Sequence, residues 1–430
     1  MLGLDPHPIL APVPPAAQPT PLGAALVLSF VASVGTYVVE SGIYFLTSGA
    51  YGFSDVENYT LGVGLGITYI AGAVGAGPML RRLRELHPAL TSRAVLMGMM
   101  LAMAGLCAVP FLALHVLPRR GDGALPQWPM WVLVLAYSPL TGVMWPMIES
   151  YVSGGKSEGA LRSAMGTWNV VWSSALVVGA VGIAPFVEAR AAEVVLALAL
   201  LHAACVPLLR GFGREPEPHP AEGPHHAPPV YRRLLVTFRW LLPASYVVSS
   251  AMMPFLPGLM RALGVTATTQ VLISAVWLVS RTGAFYALQR THAWHGRWWL
   301  PTLGMGCMLG GFALVALCRV LGGEPGVALG MLIVGLALFG VGMASIYVGA
   351  IYYAMEVGQA EVEAGGTHEG LIGLGFAVGP GIGLAAALAV HAGKLDRTML
   401  EPTVLGGVAI ISAVAAGVAS WRILALKDVR

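Results

Sequence analysis

Charge is what this chain has least of. Only 10% of its 430 residues are Asp, Glu, Lys or Arg, against about 25% in soluble domains. That excludes a soluble protein carrying a single anchor. The basic residues sit in short loops and leave a net charge of +3, which is no nucleic-acid footprint. No nucleic-acid partner is expected. Cysteine is scarce too. Cys107, Cys205, Cys307 and Cys318 all fall inside apolar runs, none at metal-ligand spacing from another. They read as small packing residues. No Gly-x-x-x-x-Gly-Lys-Ser/Thr phosphate loop occurs, so the usual signature of an ATP-driven pump is missing. No His/Asp/Glu cluster with metal spacing and no nucleophile motif lies in the apolar runs. A non-enzyme with no metal and no cofactor is therefore expected. Residues 1–21 are rich in proline and lack Lys and Arg. This argues against a cleavable signal peptide and for a disordered tail.

What the chain has is twelve long apolar runs in two sets of six. A helical span needs about 20 apolar residues. Only helices and closed barrels satisfy the backbone in lipid, and barrel strands are alternating segments of about ten residues. The expected fold is therefore all-α and integral to a lipid bilayer. The spans are read at 22–48, 57–80, 93–117, 129–153, 163–186 and 190–210, then 236–260, 268–290, 298–320, 326–355, 366–391 and 402–423. They form two six-helix bundles, 22–210 and 236–424. A Pro/His-rich linker, 211–235, joins them, and a short tail, 425–430, follows. His219, His225 and His226 in the linker read as solvated rather than metal-binding.

Orientation follows from Lys and Arg in the loops. With both termini and the linker cytoplasmic, sixteen basic residues lie inside and seven outside, and Arg281 is left within a span. The expected location is the cell membrane. Shifting the second half by 207 positions brings most spans into register and pairs Glu149 with Glu356. Intramembrane carboxylates are rare, so that pairing carries more weight than coinciding glycines.

Polar residues are spread unevenly. The first span carries Ser33, Thr36, Tyr37, Glu40 and Tyr44 at spacings of three and four, on one helical face. The fourth carries Tyr137, Thr141, Trp145 and Glu149. The seventh has Tyr246, Ser249, Ser250 and Met253, and the tenth Ser345, Gly349, Tyr352, Tyr353 and Glu356. Spans 3, 6, 9 and 12 are nearly bare. So 1, 4, 7 and 10 are expected to line a cavity, and 3, 6, 9 and 12 to face lipid or play a structural part.

This plan resembles the major facilitator superfamily, whose members have two pseudo-symmetric six-helix bundles, inside termini and a central cytoplasmic linker. In that family helices 1, 4, 7 and 10 line the cavity. The loop between spans 2 and 3 is similar in part: Gly77 is followed by Arg81, Arg82, Arg84 and Glu85. The family's Asp is absent, so the charge pair it forms is not implied here. A Gly-Pro motif like that of the family's antiporters, Gly375 to Gly383, lies in span 11 instead of span 5, and antiport does not follow from it.

Several residues stand out as candidate sites. Glu40 lies about two turns inside the outer end of span 1. A carboxylate in hydrocarbon costs several kcal/mol, so it should face a wet cavity, pair or be protonated. It reads either as a proton-coupling or substrate-binding group or as a water-facing structural one. Arg281 is always charged and needs a partner: Glu40, an anionic substrate, or packing against span 5. Tyr37, Tyr44, Asn169 and Trp172 are further cavity candidates. Glu149 and Arg162 flank a short loop, where an ion pair would latch the inner side. Glu356, Glu361, Glu363, His368 and Glu369 form an acidic cluster that could meet Arg82 and Arg84 across the inner gate. Gly375, Gly379, Pro380 and Gly383 suggest a hinge or sliding face. Together these point to a monomeric secondary transporter of a small-molecule substrate, working by alternating access, with coupling to protons open. The alternatives are a polytopic membrane enzyme and a transport-inactive sensor or scaffold.

Overall fold

With no water in lipid to take backbone hydrogen bonds, each apolar run closes its own as a helix. A computed structural model describes residues 19–116, 124–156, 158–187, 189–218, 228–358 and 362–426. Twelve helices there are long and apolar enough to cross a membrane: α1 (Leu22–Gly49), α2 (Asp55–Leu86), α3 (Ser92–Val116), α4 (Trp128–Ser153), α5 (Gly159–Phe186), α6 (Ala191–Leu209), α7 (Pro229–Ala262), α8 (Ala267–Gln289), α9 (Trp299–Gly322), α10 (Pro325–Val357), α11 (Gly365–His391) and α12 (Arg397–Ala425). No strand occurs among the described residues.

Local signals set the ends. Gly52 turns the chain out of α1 at φ 60°. Ser54 then caps α2: its hydroxyl accepts from Glu57 N at 3.3 Å, and its own N–H donates to the Glu57 carboxylate at 2.7 Å. α7 opens on Pro229, whose missing N–H costs nothing in a first turn. It therefore begins before residue 236, and the linker is shorter than expected.

Burial divides the helices as their polarity does. In α7 78% of the apolar window is buried, in α4 67% and in α1 56%; in α3, α9 and α12 it is 33%, and in α6 39%. The last four carry Leu101, Leu200, Val320 and Ile410 on the outside.

The halves meet along α2 with α11 and α5 with α8, and α11 also packs on α4 and α7. Apolar side chains gain little by leaving lipid for one another, so close backbone packing supplies the cohesion. At Gly66 a Cβ would lie 2.2 Å from the backbone N of Ala377, and at Gly340 2.2 Å from the carbonyl of Trp277. In α11, Gly375 and Gly379 press on Tyr246 and Val247 of α7, while Gly383 and Pro380 meet Tyr59 and Gly62 of α2. The four therefore serve two neighbours, not one sliding face, and α11 stays helical through Pro380.

The first and last described residues and the described parts of the linker share one end of the bundle. Thr20 Oγ1 accepts from Gly213 N at 2.9 Å, and Arg422 donates to Thr237 Oγ1 at 3.1 Å, near the start of α7. The first linker residues are docked. Glu215 accepts from Arg84 at 2.6 Å and from Ser92 N at 3.0 Å, and the Tyr151 hydroxyl donates to Gly213 O at 3.2 Å. The three linker histidines, the tail before residue 19 and the chain after 426 lie outside the described residues.

Candidate functional site

Where the halves face each other, a cavity of about 70 Å³ is lined by α1, α2, α4 and α5 from one half and α7, α8, α10 and α11 from the other. None of its wall comes from α3, α6, α9 or α12.

Glu40 enters from a π-turn, Val38–Gly42, within α1. Such a turn inserts one residue into the α-helical spiral and is common at functional sites. The Glu40 carboxylate accepts from Thr141 Oγ1 of α4 at 2.9 Å. The extra residue also explains a departure. Tyr37 lines the cavity, but Tyr44, beyond the π-turn, is rotated off that face. Its hydroxyl lies against Gly62 and Pro380, at the seam of α1, α2 and α11.

Arg281 of α8 is 2% exposed. Its guanidinium carbon lies 4.6 Å from the Trp277 ring centroid and 4.7 Å from that of Trp172, a cation held against two indoles. Nε donates to Ser173 Oγ of α5 at 3.2 Å. Nη2 is buried and has no hydrogen-bond partner among the described residues. Of the three partners considered for Arg281, α5 is the one in contact. Glu40 shares the cavity but makes no ion pair with it among the described residues.

Glu369 of α11, 3% exposed, completes the wall. It accepts from the Tyr69 hydroxyl of α2, and its carboxyl meets that of Glu149. Neither Glu149 oxygen has a donor among the described residues. Two carboxylates are acceptors only, so they bond to each other only by sharing a proton. Rings close the rest of the cavity: Trp168 lies 6.3 Å from Trp145 and 6.1 Å from Trp172, which lies 5.2 Å from Tyr347, and Phe376 packs on Tyr69 and Tyr246.

The expected gate pairs are not those formed. Glu149 turns to Glu369, not to Arg162, because it is 1% exposed and faces α11. Arg162 lines a second cavity of about 310 Å³ toward the linker end, with Asn169, Gln289, His292, His295 and Glu356. Asn169 there accepts from Trp172 Nε1 at 3.0 Å and is absent from the central wall. Arg82 pairs with its exposed neighbour Glu85 at 3.1 Å, and Arg84 with Glu215. Neither reaches Glu369, which lies deeper. His368 packs edge-on to Tyr347. The Glu361 and Glu363 side chains lie outside the described residues. In the loop after α8, His295 stacks on Tyr352 with ring centroids 4.6 Å apart. Burial, then the charges of Arg162 and His292, push its pKa down to about 4.

Tyr69, Trp168, Trp277 and Tyr347 were not anticipated as cavity residues. Trp277 had a legible signal, being one helical turn before Arg281. Tyr69 had less: a single tyrosine in a Gly/Ile/Ala run.

No family model matches the chain, and no curated protein matches it. Solved structures do. The nucleoside transporter NupG matches with TM-score 0.60 at 14% identity, over 94% of this chain and 98% of that one. The proton:xylose symporter XylE, of the major facilitator superfamily, matches with TM-score 0.62 at 10% identity, over 95% and 96%. The human organic anion transporter MFSD10 matches with TM-score 0.56 at 14% identity, over 93% and 100%. The chain has the major facilitator fold.

Proposed function

We propose that this protein is a secondary active transporter that carries a small solute across the cell membrane by alternating access. One observation carries the reading: a cavity built equally from both halves, holding Glu40, Glu369 and Arg281 at its wall. Charged side chains inside a membrane domain are costly and mark solute or ion paths. Rocking one half against the other would open such a site to either side in turn. The cavity is complete within one chain, so a monomer suffices. The excess of Lys and Arg at the linker end supports an orientation with that end and both termini in the cytoplasm.

Proton coupling is the second element of the proposal. The Glu149–Glu369 contact joins α4 to α11 across the halves and needs one proton to persist. Releasing that proton sets two carboxylates against each other and parts the helices. Glu40, held by Thr141, is the carboxylate that faces the solute. In this motion Gly383 and Pro380 bear on α2 of the other half, while Gly375 and Gly379 keep α11 seated on α7.

The test is flux. Purified protein in sealed vesicles should accumulate its solute under an imposed pH gradient and lose that drive when a proton carrier collapses the gradient. Flux insensitive to the gradient would remove proton coupling, and failure to move any solute that binds would remove transport.

A further inference from the structure

The named solutes of the solved neighbours differ in charge, so the walls of this cavity must decide its own. On one wall a buried guanidinium keeps Nη2 without an acceptor among the described residues. Trp172 and Trp277 lie against it at 4.7 and 4.6 Å, and the Arg281 side chain lines the cavity. On another wall Glu40 commits one oxygen to Thr141. Glu40 and Arg281 are not paired with each other, so a donor is wanted at one place and an acceptor at another.

We propose that the cavity takes a small zwitterion of the amino acid type, its carboxylate on Arg281 Nη2 and its ammonium on Glu40. This rests on reading the central cavity as the solute site. The alternatives each leave a group unmet. An organic cation would lie beside Arg281 and leave Nη2 without an acceptor. An organic anion would face Glu40. A neutral sugar could bond to both but compensates neither charge, and an uncompensated charge away from water is costly. Size agrees. A water needs about 10–15 Å³ of such space, so 70 Å³ holds roughly the polar head of an amino acid. An apolar side group would lie against the rings of Trp145 and Phe376.

The probes are L-alanine, L-leucine and L-phenylalanine. The controls are phenethylamine and 3-phenylpropionate, each lacking one charged group of phenylalanine, with ethylamine and propionate, isopentylamine and 4-methylpentanoate as the matching pairs for the other two, and D-xylose and uridine. Binding to the detergent-purified protein is read by melting temperature and by tryptophan fluorescence. At least one zwitterion should bind saturably, and its one-charge analogues should bind on the order of tenfold more weakly or worse. Glu40→Gln and Arg281→Lys should each abolish the shift. Should Arg281→Lys not fold, the analogue series on the unaltered protein decides. Equal binding of the analogues, binding of xylose or uridine in place of the zwitterions, or binding of no probe would overturn the assignment. Vesicle uptake separates the two claims: a zwitterion that binds without being moved sustains this assignment and sinks transport, whereas uptake of xylose or uridine alone does the reverse.

Discussion

The hydroxyl of Tyr69 donates to the carboxylate of Glu369 across 300 positions of sequence, from α2 in one half to α11 in the other. Both groups are buried, so the bond lies where water cannot replace it. Hydrogen bonds to charged groups contribute about 1.5–3 kcal/mol, and leaving a buried acceptor unmet costs on that order. Tyr69→Phe should therefore lower the melting temperature in detergent. The double variant with Glu369→Gln should lose less than the two single losses added together, since both remove one contact. Strict additivity would mean that the bond contributes nothing.

Glu149→Gln tests the shared proton. An amide offers its own N–H to Glu369, so the contact would persist without a proton between the two groups. The variant should fold with unchanged or higher melting temperature. Its uptake should no longer follow an imposed pH gradient, although solute binding remains. A gradient response equal to that of the unaltered protein would remove this pair from the coupling path.

Much of the fold was legible because lipid allows few solutions. Run length announced the helices, and the distribution of polar residues separated α4 and α7 from α3 and α9. The site was legible residue by residue but not pair by pair. Glu40, Arg281, Tyr37 and Trp172 do meet at one cavity, because a charge or a large polar ring in a span has few tolerable places. Tyr44 was misplaced because spacing arguments assume 3.6 residues per turn, and the π-turn at Val38–Gly42 breaks that count. Glu149 was assigned to Arg162 by loop proximity, whereas depth decided the matter: the carboxylate lies inside and meets another from the opposite half. Contacts between halves depend on which conformation the helices hold, and one sequence carries no direct trace of that.

Glycines on α2 have separable roles. At Gly66 a Cβ would lie 2.2 Å from a backbone nitrogen of α11, whereas at Gly75 nothing lies within 4 Å. Backbone cannot swing away as a side chain can, so Gly66→Ala must part the two helices. Overpacking of this kind costs about 1–3 kcal/mol. Gly75→Ala should be neutral or stabilising by up to about 1 kcal/mol, through helix propensity. Melting temperatures of the two variants should move in opposite directions or differ clearly. Equal values would mean that α2 and α11 do not pack this closely.

His295 supplies a pH dependence whose sign can be worked out. It is partly buried in the loop after α8, stacked on Tyr352. Its pKa is lowered to about 4 from an ordinary 6.5, first by burial, then by Arg162 and His292. Between those two values the unfolded chain binds the proton and the folded chain does not. Stability from this group is therefore full above about pH 6.5 and is lost as pH falls toward 4. His295→Gln keeps a planar polar group that cannot titrate. Between pH 7 and pH 5 the unaltered protein should lose more melting temperature than the variant, and the two should run parallel between pH 7 and pH 8. A steeper acid loss in the variant would reverse the sign and place a charged imidazole in the folded state. The same stack borders the linker-side cavity that holds Arg162 and Glu356. Acid below pH 6 should thus loosen that cavity before the central one, visible as faster hydrogen exchange in residues 291–297 than in the core of α8.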